Sequence, residues 1–167
     1  MIRAIFLDVD GTLISFSTHE IPASALRALA QAHERGVRLF IATGRAANDL
    51  GPLEGILYDG VVSLNGARCV ANDGRVVSLH PIPRADFERA LALSEEQGFA
   101  MGLELEEGVF VNRVTPDVER VAHMVAHPVP EQTDLRELFG RVECCQLCFY
   151  FDAETQRRVM AELPTLA

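Results

Sequence analysis

The sequence contains no lysine: all 15 of its basic residues are arginine. Against 24 acidic residues they leave a formal net charge of −9. Phosphate backbones are held mainly by clustered cations, so a chain with this balance is not expected to bind nucleic acid. No apolar run approaches the roughly 20 residues that span a bilayer, so no membrane partner is expected either. Met1-Ile2-Arg3 leads straight into a strand-like run, without the basic, apolar and small-residue regions of a secretory leader. The expected location is the cytoplasm.

Cysteine is scarce, with four in 167 residues. Cys144, Cys145 and Cys148 lie in "VECCQLCFYF", which reads as a strand over 142–151, and Cys69 stands apart. Side chains alternate along a strand, so Cys145 and Cys148 of the C-x-x-C face opposite ways. Cys144 and Cys148 share a face about 13 Å apart at ~3.3 Å per residue. A disulfide needs Cα atoms within roughly 7 Å, so free thiols are expected.

What is present is an alternation of elements. "IRAIFL" (2–7) is apolar on both faces apart from Arg3, as in a strand inside a parallel sheet. Residues 22–35 read as a helix, opened by Pro22 and stopped by Gly36. Its stripe is Leu26, Leu29, Ala30 and His33, with His33 expected half-buried and hydrogen-bonded. "VRLFIAT" (37–43) is a second doubly apolar strand, completing a βαβ unit. "GVVSL" (60–64) is a third, and "ARCVA" and "RVVSL" form a hairpin about Asn72-Asp73-Gly74.

The prolines of "HPIPR" place a boundary between domains at 1–82 and 83–167. Beyond it come a helix (84–97), a hairpin about Glu106-Glu107-Gly108 and a helix begun by Thr115-Pro116-Asp117, with a stripe of Val118, Val121, Ala122 and Val125. A looser segment with a short helix near 135–139, the cysteine-bearing strand and a helix at 153–163 follow. His123 and His127 stand i, i+4 on the polar side of their helix, but no third ligand is near.

In "FLDVDGT" the chain sets two aspartates one residue apart at the end of a buried strand. Ligands of open parallel sheets bind beyond the carboxyl ends of strands. Asp8 ends the first strand and Thr43 the second, so both deliver a polar group to one edge. An unpaired carboxylate there is costly, which suggests a bound cation. Asp8 can attack phosphorus as a carboxylate nucleophile. Asp10 can protonate the leaving oxygen and then activate water. Gly11 permits a tight turn that brings backbone N–H groups to a phosphate.

"FLDVDGTL" followed by "LFIATGR" resembles the haloacid dehalogenase superfamily of phosphatases. "TGR" and "SLNGA" are similar to its Cof-like subgroup, which carries a type IIB cap. The resemblance implies an α/β fold: a three-layer parallel-sheet core with an inserted α+β cap. It implies Asp8 as nucleophile, Asp10 as general acid/base, and Mg²⁺ held by Asp8 and the Asp10 main-chain carbonyl. Gly11, Thr12, Thr43, Gly44, Arg45 and Asn65 fall where the family binds phosphate and substrate. For Arg45 and Asn65, a salt bridge and a turn role remain equal alternatives. The implied substrate is a small phosphorylated metabolite of the sugar-phosphate kind.

The family also uses a lysine or arginine and an acidic metal-binding pair, both after the cap. This chain has no lysine, and its last aspartate, Asp152, reads as a helix N-cap. The expectation is that the final core strands lie outside this chain, which would then have little or no activity alone. Strand 2–8 would be an exposed edge, open to self-association. A non-catalytic phosphate-binding module and a phosphomutase of the same superfamily are the alternative readings.

Overall fold

The apolar run around Phe6 forms β1 (Ala4–Leu7) and pairs in parallel with β2 (Arg38–Ala42), Phe6 opposite Phe40 and Leu7 opposite Ile41. This computed structural model describes residues 2–18, 20–53, 55–125 and 127–162. The strands are joined by α1 (Ala23–Glu34), which Gly36 ends at φ +79°, a conformation glycine adopts without steric cost. β3 (Gly60–Ser63) continues the parallel sheet, and the hairpin β4 (Arg68–Ala71) and β5 (Val76–Leu79) completes it antiparallel. Gly60 is required where it stands: a Cβ there would meet the Val70 carbonyl oxygen at 2.8 Å.

One face of this sheet is covered. Leu39, Ile41 and Val61 pack with Leu29 of α1 and with Val9, Leu13, Ile14, Leu50 and Leu53 from the connecting loops. Each fully buried aliphatic side chain contributes about 1.5–3 kcal/mol. The opposite face is not covered by a second helical layer among the described residues of the first unit. There Phe6 is 62% exposed and stacks on Phe40 at 4.9 Å between ring centroids. The expected burial of β1 on both faces therefore does not hold, because only Ile5 and Leu7 turn toward the core. The stripe on α1 is also only partly buried. Leu29 is inside, but Leu26 and Ala30 line an open groove of about 410 Å³ with Ile56 and Leu57. His33 is half-buried in that groove, with no hydrogen-bond partner for its side chain among the described residues.

The chain divides into two compact units at His80/Pro81. The second is built on an antiparallel hairpin, β6 (Ala100–Leu105) with β7 (Gly108–Val111). The two-residue β8 (Glu131–Gln132) joins β7, and β9 (Gln146–Tyr150) pairs antiparallel with β6. Alternation along β6 decides the layers. Met101, Leu103 and Leu105 meet Phe87, Ala90 and Leu91 of α2 (Arg84–Gln97) and Leu135 of α4 (Leu135–Phe139). Ala100, Val111 and Tyr150 meet Val118 of α3 (Pro116–Met124), whose N-cap Thr115 accepts the Val118 N–H. α5 (Ala153–Glu162) buries Val159 against Leu93 and Phe99.

β9 is shorter than the expected strand. Its pairing stops at Glu104–Gln146, because β6 turns away at Glu106 and leaves no backbone beyond to pair with. Cys144 therefore lies outside the strand, its thiol donating to the Gln146 carbonyl oxygen. All four cysteines are free. Burial, with the Glu104 charge adding, pushes the thiol of Cys148 up to about 12, and burial pushes Cys144 up to about 11.

Candidate active site

Asp8 is the first residue past the paired end of β1, and Thr43 the first past β2. Parallel pairing in register puts both at the same sheet edge. The chain then turns sharply. Gly11 at φ +80° donates its N–H to the Ile14 carbonyl oxygen (2.8 Å), and Ile14 returns one to Val9 (2.9 Å). The Thr12 N–H goes to the Val9 carbonyl oxygen (3.3 Å). The turn itself thus takes the Gly11 and Thr12 amide protons, so these two are not among backbone N–H groups free for a phosphate. The Thr12 hydroxyl donates to Oδ2 of Asp8 at 2.8 Å, which fixes the carboxylate and leaves Oδ1 without a protein donor among the described residues.

Asp10 is held differently. Arg45 grips it with both arms, Nε to Oδ2 and Nη2 to Oδ1, each at 2.8 Å. The planar guanidinium matches a carboxylate in this two-point mode. The hydrogen bonds and positive charge of Arg45 hold the Asp10 carboxyl below its ordinary range, against a smaller opposing effect of burial. Nη1 of Arg45 reaches the Asp49 carbonyl oxygen (3.1 Å) and carboxylate (3.3 Å). Asp49 was not singled out from the sequence, although its i, i+4 spacing from Arg45 was a usable signal.

Thr43 is buried, and its hydroxyl oxygen accepts the Arg45 N–H at 3.2 Å. The hydroxyl proton has no acceptor among the described residues. Asn65 sits in the left-handed region at φ 54°, in the turn after β3, and donates its N–H to the Thr43 carbonyl oxygen at 3.2 Å. Its side-chain amide lies against Gly44, where an added Cβ would meet Oδ1 at 3.1 Å. Leu64 likewise donates to the Arg45 carbonyl oxygen. The structure thus brings Asp8, Asp10, Gly11, Thr12, Thr43, Gly44, Arg45 and Asn65 together at the carboxyl ends of three parallel strands. His123 and His127 are exposed residues of the second unit. No group of three or more His, Cys, Asp or Glu that could hold a metal occurs among the described residues. No helix among them is long and apolar enough to cross a membrane.

Residues 5–167 match the haloacid dehalogenase-like hydrolase family, and the chain belongs to it. Among solved structures, the phosphatase BT1666 from Bacteroides thetaiotaomicron matches 98% of this chain at 53% identity and a TM-score of 0.91. The subclass IIB sugar phosphatase BT4131 matches 98% at 30% identity and a TM-score of 0.82. YkrA of Bacillus subtilis (strain 168), provisionally named a phosphatase, is 30% identical over 95 residues, 56% of this chain. The chain spans 61% and 64% of the two structures and 36% of YkrA.

Proposed function

We propose that this protein hydrolyses a small phosphorylated metabolite, of the sugar-phosphate kind, through a phosphorylated Asp8. The observation that carries the proposal is the position of Asp8: an immobilised carboxylate with one uncommitted oxygen, at the sheet edge it shares with the Thr43 hydroxyl. Kinship with phosphatases supports it.

Asp8 Oδ1 attacks phosphorus, forming an acyl phosphate as the ester P–O bond breaks. Asp10, protonated from solvent once Arg45 releases it, gives that proton to the departing oxygen, then takes one from the water that attacks the acyl phosphate. Inorganic phosphate leaves and Asp8 returns as a carboxylate. Thr43 donates its hydroxyl proton to a phosphoryl oxygen. Asp10 cannot protonate a leaving group while Arg45 holds both its oxygens, so Arg45 lets go when substrate binds, and the incoming phosphate competes for the guanidinium. Mg²⁺ suits the oxygen donors here, the Asp8 carboxylate and the Asp10 main-chain carbonyl, with water and substrate completing its sphere. When bound it would polarise the phosphoryl oxygens and offset their repulsion from the carboxylates.

The test is Mg²⁺-dependent hydrolysis of an aryl phosphate by the full-length protein and by Asp8→Asn. The variant should lose at least about 10³-fold in turnover. Equal residual rates in the two proteins would refute the mechanism and leave a phosphate-binding module. Recovery of the phosphoryl group on a second sugar, in place of free phosphate, would indicate a phosphomutase.

A further inference from the structure

The loop that carries the two aspartates also carries an aromatic side chain with no assigned work. Phe16 is 73% exposed, yet the loop beneath it is firmly held. Leu13 and Ile14 are buried, the Ile14 carbonyl oxygen accepting the Gly11 N–H, Ser15 donates its N–H to the Glu20 carbonyl oxygen, and the Ser15 and Ser17 hydroxyls bond at 2.8 Å. The Phe16 ring does not turn inward with its neighbours. It lies across Gly11, so close that a Cβ on Gly11 would meet Cε2 at 2.5 Å and Cζ at 3.0 Å. Gly11 adjoins Asp10 in the chain. A flat apolar surface thus stands in water over the backbone that directly follows Asp10.

Resting on the phosphatase reading, we infer that Phe16 is the wall against which the organic part of the substrate packs, selecting phosphate esters of ring-bearing compounds. The phosphoryl group lies toward Asp8 and Thr43, and the leaving oxygen lies toward Asp10. What is bonded to that oxygen meets the Phe16 ring, which offers a large rigid contact area to the C–H face of a sugar or another ring.

Steady-state kinetics of the full-length protein with glucose 6-phosphate, and inhibition by inorganic phosphate, test this in wild type, Phe16→Leu and Phe16→Ala. Loss of the ring should raise KM for glucose 6-phosphate about fivefold or more, with Leu intermediate. The inhibition constant of inorganic phosphate, which has no organic part, should move by much less. Parallel rises in both constants would show a ring that only props the loop, and would overturn the inference, as would no change in either. The chain has no tryptophan, so Phe16→Trp supplies a single emission probe. A larger emission change with glucose 6-phosphate than with inorganic phosphate supports the wall, and no change with the sugar phosphate overturns it. Failure of the wild type to turn over any phosphate ester would instead sink the phosphatase reading, and the emission measurement would still decide the role of Phe16.

Discussion

Arg45 carries the most consequence among single residues. Its two hydrogen bonds to Asp10 lower that carboxyl from its ordinary value of 3.8. A depressed carboxyl adds stability that is present above the unfolded value and is lost as pH falls through the folded one. Asp10 is 42% exposed in this pair, so solvent screening keeps the gain below about 1 kcal/mol. Arg45→Met should therefore lower Tm by a few degrees near neutral pH, and the difference should close as pH falls below 3.8 and through the lowered folded value. The same substitution lets the Asp10 carboxyl rise toward its ordinary range, and because Asp10 must carry a proton to serve the leaving oxygen, the alkaline limb of the kcat/KM profile should shift to higher pH. A Tm gap that persists at low pH would mean that the loss is one of packing. The sequence left Arg45 open between ion pair and ligand contact, because residues 35 positions apart meet only once β1 and β2 are in register.

Elements were legible to different degrees. Helix limits with strong punctuation could be read closely: Pro83 and Gly98 bracket α2, and Pro22 and Gly36 bracket α1. β8 had no periodic signal, since two residues are too short for one. The exposed face of β1 was hidden because apolar residues on both sides of a strand look the same whether or not a layer covers them. The packing of α2 on β6 includes a buried polar knot that sequence pattern also concealed. The Ser94 hydroxyl donates to the Phe99 carbonyl oxygen (2.8 Å) and accepts from the Asn112 amide (3.0 Å), while Asn112 Oδ1 accepts the Met101 N–H (2.9 Å). Ser94→Ala leaves a buried donor and acceptor unpaired and should cost about 1–3 kcal/mol in urea unfolding. A loss under about 0.5 kcal/mol would show that the knot relaxes onto other partners.

For the whole molecule, the open features of the first unit coincide. β1 ends the sheet as these residues form it, and Phe6 stands exposed on the uncovered face. An unpaired edge beside an apolar face favours strand addition. We expect this chain, isolated, to associate in a concentration-dependent way, and Phe6→Arg to move it toward monomer in sedimentation experiments. A wild-type chain that stays monomeric at high concentration would contradict this. The two units differ in another respect, since each encloses its own apolar clusters and none of those clusters is shared. Substitutions in separate cores combine additively. Damage to one core should therefore not compound damage to the other, so the two sets of buried residues are free to drift at different evolutionary rates.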